Sequence, residues 1–227
     1  MNSDKPVKVA AFDLDGTLLD SADDLINSLN FLLKEQNQNP IKKSHVYSLV
    51  GNGALAMIRK AYKLNNSYDE TINWKNLQLR FLEIYKQQFV AKSKLFPYAH
   101  ETLEELYNNK IKLIIVSNKP QFFVSKILQH FKIYKYFIAM SGGDTFKYKK
   151  PNPKHLIETL NIVGIKKYNC CFIGDSINDA LCAKNANAKL ILLKHGYSNK
   201  NLEEMGADHV LKDLKNLASK VYELLLQ

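Results

Sequence analysis

The sequence predicts an α/β fold in which helices cover both faces of a doubly wound parallel sheet. Apolar segments of strand length alternate with helical segments through most of the chain, which is typical of strands joined by helical crossovers. Several of these strands end in polar or acidic residues, where open α/β sheets place their sites. Residues 21–92 contain no convincing strand. They therefore predict a small all-helical domain inserted after the first strand.

The individual elements follow from the spacing of apolar residues. Continuous apolar runs, typical of strands buried on both faces, predict strands at residues 7–12, 111–116, 137–140, 170–173 and 190–193. In the insertion, leucines at positions 25, 29, 32 and 33 share one helical face, and residues 72–90 form a second apolar helix. Residues 216–226 predict a terminal amphipathic helix.

The chain is basic, with a formal net charge of +10 over 227 residues. No basic stripe interleaved with aromatic residues occurs, so we expect no nucleic-acid partner. Solvated lysines of a lysine- and asparagine-rich chain explain the charge, and attraction of a small anionic substrate is a weaker alternative.

The cysteines and the hydropathy indicate the compartment. Cys170, Cys171 and Cys182 lack metal-ligand spacing and are expected to be small core residues. We find no signal peptide and no apolar run of membrane-spanning length. The sequence therefore predicts a cytoplasmic protein without a membrane partner.

The first strand ends in two aspartates. In the segment AFDLDGTLLDS, Asp13 and Asp15 are separated by one residue and are followed by Gly16 and Thr17. Two carboxylates this close repel each other unless a cation lies between them, and carboxylate oxygens are natural ligands of Mg²⁺. An acidic turn is the alternative for a bare Asp-x-Asp. The strand before it and the Gly-Thr after it favour a magnesium site.

The second strand ends in a hydroxyl. IKLIIVSNKP places Ser117 and Asn118 directly after a β-branched apolar run, with Pro120 suited to the start of a helix. Ser117 could hold a phosphate oxygen, helped by the free N–H groups that follow it. It could equally satisfy a strand-end backbone group or begin a helix cap.

A single lysine differs from its neighbours in the segment KYKKPNPKHL. Pro151 and Pro153 fix the backbone around Lys150, so its ammonium can be held as a point charge over a phosphoryl group. The nearby Lys147, Lys149 and Lys154 are expected to be solvated.

A second acidic pair follows a later strand in the segment CCFIGDSINDA. Asp175 lies at the strand end and Asp179 lies four residues on, one helical turn away. Asp175 or Ser176 could simply cap the next helix. Two stacked carboxylates are nevertheless unfavourable without a cation, so this pair also predicts a metal site.

These four motifs, in this order, resemble those of the haloacid dehalogenase superfamily of aspartate-nucleophile phosphatases. The resemblance implies a Rossmann-like catalytic core of residues 1–20 and 93–227 and a mobile helical cap of residues 21–92. It implies catalytic roles for Asp13 as nucleophile, Asp15 as general acid and base, and Lys150 as the stabilising cation.

The resemblance also implies the binding residues. Thr17, Ser117 and Asn118 are expected to bind the substrate phosphate. Mg²⁺ is expected at Asp13, the main-chain carbonyl of Asp15, Asp175 and Asp179. For Asp179 it stays open whether the carboxylate binds the metal directly or orients the site from behind it.

Within the superfamily, most of the chain resembles the phosphoglycolate phosphatase subgroup, including the cap segment LVGNGALAMIRKA. Gly51, Asn52 and Gly53 precede a helix there, and their backbone N–H groups could bind the carboxylate of the substrate. An ordinary turn and helix cap is the alternative.

The subgroup implies the reaction and the partners. We expect a small phosphorylated metabolite as substrate, hydrolysis of 2-phosphoglycolate to glycolate and phosphate in carbohydrate metabolism, and a monomer or homodimer. Pyrophosphate, a nucleoside monophosphate or a sugar phosphate are alternative substrates, and a sugar-phosphate mutase is an alternative enzyme. A non-enzymatic relative would be expected to lack one of the motif residues, and all are present.

Overall fold

The structure is a computed structural model that describes residues 6–226. The strands are β1 Val7–Phe12, β2 Leu19–Asp20, β3 Lys94–Leu95, β4 Lys112–Val116, β5 Phe137–Ser141, β6 Tyr168–Gly174, β7 Lys189–Leu193 and β8 His209–Leu211. The α-helices are α1 Ala22–Glu35, α2 Val46–Leu49, α3 Ala54–Leu64, α4 Trp74–Lys86, α5 Ala99–Asn108, α6 Gln121–His130, α7 Lys154–Ile162, α8 Ile177–Asn185 and α9 Leu217–Leu225. Short 3₁₀ turns occur at Lys43–His45, Tyr134–Tyr136 and Leu202–Met205.

Six strands form one parallel sheet in the order β5-β4-β1-β6-β7-β8. The chain leaves the central strand β1 in one direction through β4 and β5, and then returns to build β6, β7 and β8 on the other side. This reversal creates a crevice at the carboxyl ends of β1, β4 and β6, where ligands bind in such sheets. The predicted α/β fold with a doubly wound parallel sheet is confirmed.

The continuous apolar runs of the strands are explained by burial on both faces. Ala10 and Phe12 of β1 point into the apolar cluster that includes helices α5, α6 and α9. Val9 and Ala11 point into the opposite cluster, which includes helices α7 and α8. Since successive side chains alternate between the two buried faces, all of residues 9–12 are apolar.

The structure adds strands that the sequence did not predict. β8 is three half-buried residues long, too short for a periodicity to be visible. β2 and β3 have two residues each and pair antiparallel, Asp20 opposite Lys94. The predicted strands and the terminal helix are present, with ends that differ by one or two residues.

The small β2–β3 ribbon stands at the two ends of the helical insertion. Between these strands the described chain contains helices α1 to α4 and the turn at Lys43–His45. The buried Asp24 of α1 accepts hydrogen bonds from the backbone N–H groups of Lys92 (2.9 Å) and Ser93 (2.8 Å). Domain boundaries after residue 20 and before residue 93 stay a prediction.

None of the helices in residues 6–226 combines the length and hydropathy needed to cross a bilayer. The three cysteines are buried and unpaired. Burial raises the pKa of Cys170 and Cys182 above that of an ordinary thiol, so these side chains behave as small apolar groups.

Candidate active site

Asp13 is placed at the sheet edge by the strand that precedes it. Its backbone N–H donates to the carbonyl of Ile173 at 2.9 Å, which extends the pairing of β1 with β6. The side chain is buried and lies 2.8 Å from the Lys150 ammonium. Burial raises the pKa of Asp13 to about 6, although Lys150 acts in the opposite direction, and the neighbouring Asp179 adds to the increase.

The turn after Asp13 requires a glycine. Gly16 has φ +85°, and a Cβ there would lie 2.5 Å from the Oδ2 atom of Asp175. A side chain would therefore meet both backbone strain and a carboxylate. The next residue, Thr17, is fully buried and donates its hydroxyl to Asp175 at 3.4 Å. The turn thus brings the first motif against the second acidic pair.

Three buried carboxylates converge at the crevice. One oxygen each from Asp13, Asp175 and Asp179 lies within 4.8 Å of the others. Burial raises the pKa of Asp175 well above its usual value, and the negative charges of Asp179 and Asp13 raise it further. A hard divalent cation such as Mg²⁺ binds oxygen ligands and would relieve this repulsion. The donor set therefore fits the predicted metal.

Asp175 and Asp179 are held by the turn between β6 and α8. Ser176 caps α8, and its hydroxyl donates to Oδ2 of Asp179 at 2.6 Å. The backbone N–H of Tyr197 donates to Oδ2 of Asp175 at 2.6 Å. The helix-capping alternative and the acidic pair therefore coexist, because Ser176 caps the helix while both carboxylates face the cluster.

The Lys150 ammonium is the counter-charge of this cluster. It lies 2.6 Å from Asp179 as well as 2.8 Å from Asp13, and it is fully enclosed. Its position is fixed by backbone contacts, since its N–H donates to His155 Nδ1 (3.2 Å) and its carbonyl accepts from Asn118 (3.0 Å). Lys150 is buried, whereas the side chains of Lys147, Lys149 and Lys154 are exposed, as predicted.

Lys119 is a second buried lysine, and it was not among the residues predicted from the sequence. Its ammonium lies 2.9 Å from both carboxylate oxygens of Asp15. Burial lowers the pKa of Lys119, but Asp15 and Tyr85 together outweigh that effect and hold the pKa above its ordinary value. Ser21 also donates to Asp15, at 2.6 Å. The position of Lys119, directly after Ser117 and Asn118 at the end of a buried strand, was the sequence feature that could have indicated it.

Hydrogen bonds join the cap segment at residues 51–52 to the core beside these groups. The Asn118 side-chain amide donates to the Gly51 carbonyl at 3.0 Å, and Asn178 donates to the same carbonyl (3.2 Å) and to Asn52 Oδ1 (3.0 Å). Asn178 was not among the predicted residues, although it lies between the two aspartates of the last motif. Gly51 and Gly53 both have positive φ angles, +100° and +85°.

Two adjoining cavities meet at this loop. The first has a volume of about 40 Å³ and is lined by core residues and by apolar side chains of α1, α3 and α4. Of the predicted site residues, it brings together Asp13, Asp15, Ser117, Asn118, Gly51 and Gly53. The second cavity, about 300 Å³, is lined by Asp15, Gly51, Asn52 and Asp175 among others. Thr17 lines neither, because its side chain lies behind Asp175.

The chain matches a family model described as haloacid dehalogenase-like hydrolase over residues 10–193. It is 33% identical over 218 residues to a phosphoglycolate phosphatase of Agrobacterium fabrum, covering 96% of this chain and 94% of that protein. It is 36% identical over 220 residues to a phosphoglycolate phosphatase of Vibrio parahaemolyticus, covering 95% and 96%.

A solved structure shows that the similarity extends to the fold. The crystal structure of a predicted phosphoglycolate phosphatase from Haemophilus somnus 129PT superposes with a TM-score of 0.87 at 30% identity, covering 96% of this chain and 99% of that one. The similarity thus extends over the sheet and the helical insertion.

Proposed function

This chain belongs to the haloacid dehalogenase-like hydrolases, and we propose that it is a Mg²⁺-dependent phosphatase that hydrolyses 2-phosphoglycolate to glycolate and phosphate. The observation that carries the proposal is the buried cluster of three carboxylates around one lysine at the carboxyl edge of the sheet. A structural ion pair would need one carboxylate for one ammonium. The excess of negative charge indicates a site that binds a cation and an anionic substrate together.

Asp13 is the proposed nucleophile. Its carboxylate attacks phosphorus in line and forms an aspartyl-phosphate, while the ester oxygen leaves on the opposite side. The contact with Lys150 at 2.8 Å holds this side chain in one orientation. The same ammonium then neutralises charge on the phosphoryl oxygens in the transition state.

Asp15 is the proposed proton donor and acceptor. It lines the same cavity as Asp13, so it can protonate the leaving alkoxide in the first half of the reaction. In the second half it takes a proton from water, whose oxygen attacks the aspartyl-phosphate to release phosphate and restore Asp13. Its contacts with Ser21 and Lys119 orient the carboxyl group.

Asp13, the Asp15 carbonyl and Asp175 are the proposed ligands of Mg²⁺, which when bound supplies positive charge to the phosphoryl group. Asp179 is proposed to orient the site from behind, through Lys150 and the turn at Ser176.

The remaining polar groups of the crevice are proposed to bind the phosphate. The Ser117 hydroxyl and the Asn118 amide lie at the carboxyl end of β4, next to Asp13 and Asp15 around the first cavity. Thr17 contributes indirectly, by its hydrogen bond to Asp175.

The choice of 2-phosphoglycolate among the small phosphate esters rests on the relatives. The proteins of A. fabrum and V. parahaemolyticus, which are 33% and 36% identical to this chain, are named phosphoglycolate phosphatases. A cytoplasmic monomer or homodimer remains our prediction for location and assembly.

The test is a panel of phosphorylated metabolites assayed for phosphate release with and without Mg²⁺. The panel includes 2-phosphoglycolate, pyrophosphate, nucleoside monophosphates and sugar phosphates. We expect the highest kcat/KM for 2-phosphoglycolate and no turnover with excess chelator. A higher kcat/KM for any other member overturns the substrate, and metal-independent release overturns the mechanism. Interconversion of sugar phosphates without net phosphate release would indicate a mutase.

A further inference from the structure

We infer that Lys119 and Tyr85 form the site for the second anionic group of the substrate, its carboxylate. This inference rests on the proposed function, because it supposes a small phosphate ester that carries a carboxylate. The sequence predicted that role for the backbone at Gly51, Asn52 and Gly53. The structure adds two side chains of suitable chemistry that line the same cavity as Gly51 and Gly53.

Lys119 is the first of these groups. Of the described residues that line the first cavity, it is the one that carries a positive charge. Its side chain is 3% exposed, so its charge is not screened by bulk water. An ammonium has three donors, and its 2.9 Å contacts with both oxygens of Asp15 show that a carboxylate fits against it.

Tyr85 is the second group, and it comes from helix α4 of the insertion. Tyr85 is 2% exposed, and in residues 6–226 its hydroxyl makes no hydrogen bond of ordinary distance and angle; its nearest polar neighbour is the Lys119 ammonium, which acts to lower the pKa of the phenol. Buried polar groups are normally hydrogen-bonded, and an oxygen of a ligand would give this hydroxyl a partner. The Lys119 ammonium lies 4.8 Å from the centre of the Tyr85 ring, so one small anion can reach both. Burial raises the pKa of Tyr85 to about 12, which keeps the phenol a donor at neutral pH.

The order of groups along the cavity matches the order of groups along the substrate. Asp13 is the proposed partner of phosphorus, and Asp15 is the proposed partner of the ester oxygen. Lys119 contacts both Asp15 and the ring of Tyr85. In 2-phosphoglycolate one methylene separates the ester oxygen from the carboxylate, so the carboxylate falls beside Lys119 when the phosphate lies at Asp13.

The arrangement also links recognition of the substrate carboxylate to closure of the helical insertion over the site. Lys119 belongs to the sheet edge after β4, whereas Tyr85 belongs to the helical insertion. A carboxylate bound to both joins the two parts over the reacting groups. A phosphate ester without a carboxylate lacks this link, so binding energy specific to the acid substrate is used for closure.

The experiment compares 2-phosphoglycolate with ethyl phosphate, which has the same chain length and no carboxylate. We measure kcat/KM for both substrates in wild type, Lys119→Met and Tyr85→Phe. The ratio of the two values should fall about 10–100-fold in Lys119→Met and about 3–10-fold in Tyr85→Phe, as expected for a charge-assisted and a neutral hydrogen bond. Lys119→Met will slow both substrates because Lys119 also contacts Asp15, so the ratio is the readout.

Tyr62→Phe is the matched control. Tyr62 is a buried tyrosine of helix α3 that packs against Trp74, with ring centres 5.2 Å apart, and it does not line the first cavity. Its substitution should leave the ratio unchanged. If Lys119→Met fails to fold, Tyr85→Phe decides, since it removes an unpaired hydroxyl alone.

The outcomes separate the two proposals. A wild type that prefers 2-phosphoglycolate, with a ratio that neither substitution changes, overturns the carboxylate site and leaves the proposed function intact. A wild type without preference for 2-phosphoglycolate over ethyl phosphate overturns the proposed substrate and the carboxylate site with it.

Discussion

The ammonium of Lys150 lies 2.6 Å from Oδ1 of Asp179, and both are buried. The other oxygen of Asp179 accepts the N–H (3.0 Å) and the hydroxyl (2.6 Å) of Ser176. Each oxygen of Asp179 is thus already bonded within the protein. Asp179 therefore joins Lys150 to the β6–α8 turn, and Lys150 in turn contacts Asp13 at 2.8 Å.

Replacing Lys150 with Met should remove the counter-charge of the carboxylate cluster. Breaking a buried ion pair by removing one partner costs about 3–5 kcal/mol, so the free energy of unfolding of the metal-free protein should fall by that order. Phosphatase activity should also be lost, because the transition-state cation is gone. Urea unfolding and phosphate release measure the two effects. The exposed Lys154→Met is the control, and comparable stability of the two variants would contradict the account.

Asp13→Asn should abolish turnover and leave the protein folded. An amide is a poor nucleophile, and the substitution also removes one charge from the metal site. Because the buried Asp13 carboxylate is disfavoured by burial and by Asp179, the neutral amide should be tolerated. Circular dichroism and phosphate release check the two halves of this prediction. Substantial activity in a folded Asp13→Asn protein would exclude the aspartyl-phosphate mechanism.

Asp15→Asn should slow the enzyme in a manner that depends on the leaving group. Loss of a general acid costs about 10²–10⁴-fold when the leaving group is a poor one, such as an alkoxide. An aryl phosphate, whose phenolate leaves without help, should lose less. Asp15→Asn should also retain more metal binding than Asp13→Asn, since the proposed ligand is the Asp15 carbonyl. Equal losses of kcat for alkyl and aryl phosphates would exclude the proton-donor role.

The sequence predicted the sheet and the four motifs because both are local patterns. A buried parallel strand is a continuous apolar run, and Asp13, Ser117, Lys150 and Asp175 each lie within a few residues of such a run or of a proline. Lys119 looked like one of many lysines, because its partner Asp15 is 104 positions away. The backbone contact of Tyr197 with Asp175 and the unpaired hydroxyl of Tyr85 leave no trace in residue type or spacing. Only the folded chain brings these groups together.

Metal and pH should act together on stability. The pKa of Asp13 is about 6 in the folded protein against 3.8 in an unfolded chain, so folding disfavours the ionised form. The contribution of Asp13 to stability is therefore present below about pH 4 and is lost as pH rises through 6. Mg²⁺ binds the ionised form, so it should raise Tm more at pH 7.5 than at pH 5.

Thermal melts with Mg²⁺ or with chelator at the two pH values measure this effect. Asp175→Asn should reduce the Mg²⁺ shift at pH 7.5, because an amide is a weaker ligand than a carboxylate. An equal Mg²⁺ shift at both pH values would contradict the assignment of Asp13 to the metal site.

The last prediction concerns the cap loop at Gly51 and Gly53. If their backbone N–H groups help to bind the carboxylate of the substrate, replacing either with Val should lower kcat/KM for 2-phosphoglycolate more than for an aryl phosphate.

Both glycines have positive φ. A Cβ at Gly53 would lie 3.3 Å from the carbonyl oxygen of Asn118, whereas one at Gly51 would meet nothing within 4 Å. Gly51→Val therefore tests backbone conformation alone, and Gly53→Val adds a steric contact. Gly164→Val is the control, because Gly164 also has a positive φ (+70°) with nothing within 4 Å of an added Cβ; it lines neither cavity, and its substitution should leave the substrate ratio unchanged. A folded Gly51→Val protein with an unchanged substrate ratio would make the loop a structural turn and leave recognition of the carboxylate to Lys119 and Tyr85.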